Sequence, residues 1–188
     1  MNHPKEITLH VGGVHASAEP TVISTLLGSC IAVCLWDAQV GVGGMNHFLL
    51  PEPGAGTSLD DEPTRFGAHA MDRLIGEMLK LGAAPSRFVV KVFGGASVLA
   101  IPGMSVNVPH ANIEFVRSYL AREGLTVAAT SVGGTLPRQV RFHTESGKVL
   151  VRRVVAPGAR ATIEQEERLE RSQRRRFGDV TLFGGPRG

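Results

Sequence analysis

The stretch TLLGSCIAVCLWD, residues 25–37, sets one apolar run against another across Gly28-Ser29-Cys30. The two runs, TVISTLLGS up to Ser29 and IAVCLWD from Ile31, are β-branched and aliphatic and have strand rather than helix length. They therefore read as two strands joined at a glycine turn, with Cys30 at the mouth of the second. Working outward, ITLHVGGVHA lies upstream and VGVGGMNHFLLP downstream, both β-like and broken by glycine, with Asp37 to Gly41 as a plausible reversal between strands.

Beyond this β-rich half, Pro51 to Pro63 (PEPGAGTSLDDEP) reads as a long polar surface loop. Phe66, Ala70, Leu74, Ile75, Met78 and Leu81 then recur at helical spacing, which predicts a helix that begins after Thr64 and stops at Gly82. RFVVKVFGG predicts a buried strand entering a tight turn. A second helix is expected over Ile113 to Arg122, stopping at Gly124. The strands LTVAATSV, RQVRFHT and KVLVRRV follow, separated by the turns GGTLP and ESGK.

With 188 residues and 43% hydrophobic content, the chain can bury one sizeable core. One domain is expected over residues 1–156. Residues 157–188 form a charged extension, helical or disordered, with acidic residues early and arginines late, the order a helix dipole favours. The net charge is +3, but the extension holds 7 arginines against 5 acidic residues, leaving 13 basic and 12 acidic side chains to residues 1–156. No basic stripe interleaved with aromatics exists, which argues against nucleic acid as a partner. MNHPKEITLH does not resemble a signal peptide, and no apolar run has the length of a membrane span. A soluble, cytoplasmic protein with no membrane insertion is the expectation.

The chemistry-bearing residues are few. Cys30 and Cys34 lie on one strand face about two pleats apart, a poor separation for a disulfide, and the spacings of a zinc site are missing, so no metal is expected. Cys30 follows a glycine turn whose amides could favour a thiolate and donate to an oxyanion, although strand cysteines are more often small core hydrophobes. A thiol nucleophile needs a base. His3, His10, His15, His47, His69, His110 and His143 are available; His47 stands out between Gly43-Gly44 and the apolar FLLP, with His143 and His69 as competitors. Periodicity does not choose among them. FGGAS (93–97) follows a strand as a phosphate loop would, but lacks the Walker lysine and the dinucleotide-loop spacing, so it reads as a tight turn.

Taken in order, TLLGSCIAVCLWD, GGMNHFLLP, GAHAMDRLIGEMLKLGA, KVFGGA, NIEFV, EGL and SVGG…RQVRFHTESGKV closely resemble the CheD family of chemoreceptor glutamine deamidases, from about residue 6 to residue 155. The resemblance implies an α+β fold in α/β/β layers, two mixed β-sheets packed as a sandwich with helices on one face, similar to deamidating-toxin cysteine hydrolases. It implies Cys30 as nucleophile and His47 as its base. The third group, a hydroxyl, falls on Thr25 or, with the gap placed differently, on Ser24; Thr25 is preferred. Ser29, Gly94 and Gly95 are the expected substrate-facing positions, and no cofactor is implied. The family's substrates are glutamines on the cytoplasmic helices of methyl-accepting chemoreceptors, and a CheC-type phosphatase is a common partner. Two rivals follow: a receptor glutamyl methylesterase, and a non-catalytic module regulating such a phosphatase. The deamidase reading requires Cys30 and His47 to meet across adjoining strands, in a cleft expected to be open to water.

Overall fold

The computed structural model describes residues 4–50, 63–98 and 108–155, with residues 161, 163 and 168; in the first helix, side chains are described from residue 67 onward. The strands are β1 (Lys5–Thr8), β2 (Val14–Ser17), β3 (Thr21–Leu27), β4 (Ile31–Asp37), β5 (Val42–Asn46), β6 (Val89–Gly94), β7 (Val127–Val132), β8 (Arg138–His143) and β9 (Val149–Arg153), with helices α1 (Pro63–Lys80) and α2 (Val108–Arg122). They form a four-stranded sheet in the order β1-β3-β8-β9 and a five-stranded sheet in the order β2-β5-β4-β6-β7. Both sheets are mixed, since β1 runs parallel to β3 and β6 parallel to β7 while the remaining pairs are antiparallel.

The turn at residues 28–30 does more than reverse the chain. It carries it from β3 in one sheet to β4 in the other, so TLLGSCIAVCLWD is the seam of a sandwich. Period-two alternation then fills two cores. Between the sheets lie Ile23 and Leu27 of β3, Val140 and Phe142 of β8, and Cys30, Ala32, Cys34, Met45 and Phe93 from the other side. On the opposite face of the five-stranded sheet, Ile31, Val33, Leu35, Val90 and Val92 meet Met71, Leu74 and Met78 of α1 and Ile113, Val116 and Leu120 of α2. The layers are thus α/β/β with both helices on one face, as the family resemblance implies.

Three differences from the sequence reading have local causes. The second helix begins at Val108 rather than Ile113, because Pro109 sits in its first turn, where a missing N–H costs nothing, and so opens the helix instead of breaking it. The first helix begins at Pro63 rather than after Thr64 and ends at Lys80, and Leu81, counted in its apolar stripe, is exposed in the turn before Gly82, whose φ is +87°. His47 follows β5 rather than lying inside it. Residues 51–62 of the loop expected from Pro51 to Pro63, and the Phe66 side chain, lie outside the described residues. Of the C-terminal extension, Ile163 is buried against Ala96 and Val98, while Ala161 and Arg168 are exposed.

Candidate functional site

Chain geometry brings Cys30 and His47 onto one face. Ile31 and Phe48 form an antiparallel bridge in which each N–H donates to the other's carbonyl at 2.9 Å. Cys30 and His47 each precede a bridged residue, so they are diagonal neighbours on the opposite face, the one turned toward the four-stranded sheet. Diagonal neighbours in an antiparallel pair stand roughly 7 Å apart at the backbone, within side-chain reach. The burial partners agree: Ile31 and Phe48 pack toward the helices, Cys30, Ala32 and Leu49 toward the sheet-sheet core.

The third element arrives from across the sandwich. Thr25 shares the inward face of β3 with Ile23 and Leu27, and its Oγ1 lies 2.8 Å from His47 Nδ1 and 2.8 Å from the Leu9 carbonyl oxygen. A carbonyl only accepts, so the single hydroxyl proton goes to Leu9, and Thr25 must accept from an Nδ1–H. This network assigns the neutral ring its proton at Nδ1 and leaves Nε2 as the basic nitrogen. The main chain of His47 is fixed as well, its carbonyl accepting from Gly12 N–H at 2.7 Å and its N–H donating to Gly13 at 3.0 Å. Ser24, the alternative hydroxyl, is on the other face of β3, 3.3 Å from Thr8 Oγ1 and within hydrogen-bond range of the Ile7 carbonyl.

The turn that presents Cys30 is held carbonyl by carbonyl. Gly28 accepts from Ala96 N–H and Cys30 from Gly95 N–H, both at 2.8 Å, and between them the Ser29 carbonyl accepts from Asn112 Nδ2 at 2.8 Å. Gly94 and Gly95 owe their identity to this approach. At φ values of +115° and +63° both occupy conformations that L side chains avoid, and a Cβ on Gly94 would run into the Cys30 carbonyl while one on Gly95 would strike Ile113. Gly94 is thus pressed against main-chain atoms and Gly95 against the Ile113 side chain; Ser29 is buried beside them.

Of the other histidines, His3 lies outside the described residues and His15 is half-buried on β2, opposite Met45. His143 stands at the far end of β8, opposite Val22, with Nδ1 3.4 Å from Glu145 Oε1; His69 and His110 are exposed on the helices, and His10 is exposed. Cys34 is on the same face as Cys30 but opposite Met45, and burial pushes its thiol far above the ordinary thiol range, with Lys91 opposing. Neither cysteine is in a disulfide. Among the described residues no group of His, Cys, Asp and Glu is arranged to hold a metal ion, and no helix is long and apolar enough to cross a membrane.

One expectation fails. The cleft was to be open to water, yet Cys30 is 2% and His47 1% exposed. The cause is the seam itself, which puts the pair at the end of the sheet-sheet core, where Leu27, Leu49, Phe93 and Val108 are buried in the same cluster.

Residues 49–153 match the family model described as CheD chemotactic sensory transduction. The chain belongs to the CheD family. Its similarity to CheD relatives extends upstream of the matched residues. A protein of Burkholderia vietnamiensis named "Probable chemoreceptor glutamine deamidase CheD" is 42% identical over 92% of this chain and 72% of its own length. A "Probable chemoreceptor glutamine deamidase CheD 2" of Chromobacterium violaceum is 44% identical over 92% of this chain and 87% of its own. A Vibrio cholerae CheD relative is 36% identical over 97% and 83%. The CheD model begins after Cys30 and His47 but spans Asn112, the buried clamp that residue patterns alone did not single out. The available signal was a polar residue on the apolar face of α2, between Val108 and Ile113.

Proposed function

We propose that this protein hydrolyses glutamine side-chain amides on chemoreceptor cytoplasmic helices to glutamate, with Cys30 as nucleophile, His47 as proton carrier and Thr25 as the group that orients the ring. The observation that carries the reading is the Leu9–Thr25–His47 chain, which turns a basic Nε2, rather than Nδ1, away from Thr25. The names of the CheD relatives supply the substrate class.

In this reading Nε2 takes the Cys30 proton, and the thiolate attacks the carboxamide carbon to form a C–S bond. The carbonyl oxygen, negative in the tetrahedral species, is met by backbone N–H donors around Ser29 and Cys30. Amide nitrogen leaves poorly unless protonated, so the imidazolium returns its proton as the C–N bond breaks and ammonia departs. Neutral His47 then draws a proton from water, which cleaves the thioester to glutamate and restores the thiol. Because the sulfur is enclosed, a glutamine side chain reaches it only after the enclosure opens. The new carboxylate is a site for methyl-ester formation, which gives the enzyme a role in chemotactic adaptation in the cytoplasm, and a CheC-type phosphatase is a candidate regulator.

Incubating purified chemoreceptor with the protein and mapping receptor peptides by mass spectrometry tests this directly. Deamidation exchanges NH2 for OH at glutamine; loss of a methylene from esterified glutamate instead would mean a methylesterase. A receptor left chemically unchanged by the wild-type protein, but bound by it, would mean a binding module.

A further inference from the structure

Three successive peptide units surround Cys30, and each is fixed through its carbonyl: Gly28 by Ala96 N–H, Ser29 by Asn112 and Cys30 by Gly95 N–H. Only the middle unit is held by a side chain. In a planar trans peptide the C=O and the N–H point to opposite sides. Whatever aims the Ser29 carbonyl therefore aims the Cys30 N–H the other way.

Asn112 is fully buried, and its two ends are used differently. Nδ2 donates to Ser29, and Oδ1 accepts from Leu50 N–H at 2.9 Å, three residues beyond His47. One amide thus couples the residue before the thiol to the segment after the imidazole, and only a group with a donor and an acceptor does both. We infer that Asn112 is a positioning residue for the deamidation: it sets the plane of the Ser29–Cys30 peptide, and so the direction of the Cys30 amide toward the oxyanion, against the strand that carries His47. This rests on the deamidase reading above.

Asn112→Asp keeps size and the acceptor for Leu50 but sets a carboxylate against the Ser29 carbonyl, which turns the peptide. Removing an oxyanion donor outright costs about 10²–10³ in kcat; turning one out of line is expected to cost about 30-fold, with KM changed less than about twofold. Alkylation of Cys30 by iodoacetamide consumes the thiolate without forming an oxyanion. Its rate, and the dependence of that rate on pH, should stay within about threefold of wild type. Thr144→Val supplies the comparison for lost stability alone: Thr144 is buried at the other end of the sandwich, accepting from Thr21 N–H at 3.0 Å and donating to Glu19 at 2.9 Å. It should lower Tm while leaving kcat intact. If Asn112→Asp does not fold, Asn112→Ser, smaller but still able to donate, takes its place. Folded variants with kcat within about threefold of wild type, or alkylation lost in step with kcat, would overturn the inference. A wild-type protein that deamidates no receptor overturns the deamidase reading and this inference with it.

Discussion

Cys30 and Cys34 share a strand face, a reduced thiol and nearly complete burial, and differ in company. Cys34 sits in the middle of β4, opposite Met45 and Lys91, in surroundings that keep its sulfur protonated. Cys30 sits where the chain changes sheets, diagonal to His47 and behind a turn pinned by Gly95, Ala96 and Asn112. In the proposed mechanism, burial alone therefore does not make a cysteine inert. What separates the two is whether the polar groups needed to move a proton are buried alongside.

The hardest test of that contrast is to delete each sulfur in turn. Cys30→Ala is expected to lower receptor deamidation by at least about 10³-fold, as loss of a nucleophile does. Cys34→Ala should keep kcat/KM within about threefold and cost roughly 1 kcal/mol of stability through the small cavity it leaves. Equal losses would erase the distinction.

Next in size is the hydroxyl comparison on β3. Thr25→Val removes the acceptor for Nδ1–H and should reduce kcat on the order of 10–100-fold, because the ring loses its fixed tautomer. Ser24→Ala, on the opposite face, should stay within about twofold in the same receptor assay.

Two glycines at positive φ sharpen the comparison in stability. Gly41 (φ +66°) faces open space, and Gly41→Ala should cost about 1 kcal/mol in urea unfolding. Gly94→Ala adds a collision with the Cys30 carbonyl and should cost more than about 3 kcal/mol.

The smallest effect lies at the other end of β4, where the Arg87 guanidinium, 2.7 Å away, holds the buried Asp37 carboxyl down to about 2. A carboxyl depressed on folding stabilises fully above its unfolded value of about 4, and that contribution fades as pH falls toward 2. Arg87→Gln should thus lower the urea midpoint more at pH about 7 than at pH about 2.5, with deamidation unchanged.

The strands were legible because β3, β4, β6 and β8 carry β-branched and aliphatic residues in short runs cut by glycine, and α1 because Ala70, Leu74 and Met78 mark one face. The start of α2 was not, since Pro109 reads as a breaker unless the helix is known to begin there. Cys30, His47 and Thr25 came from the order of several motifs, not from periodicity, which does not say that two strands in different sheets face each other. Asn112 opens the family-like NIEFV segment, yet its place beside the turn was not legible, because its partners are main-chain atoms at Ser29 and Leu50, and main-chain partners leave no mark in the sequence. The enclosure of the thiol was equally illegible, as it arises from where the sheets close.

The Leu9 carbonyl and the two glycines that follow it have a reach beyond their own turn. Removing the first thirteen residues would leave sulfur and imidazole in the polypeptide, yet abolish the instruction that tells the ring which nitrogen to protonate, and both main-chain ties of residue 47. In the proposed mechanism, control over turnover is thereby lodged upstream of the reacting atoms, in the amino-terminal arm.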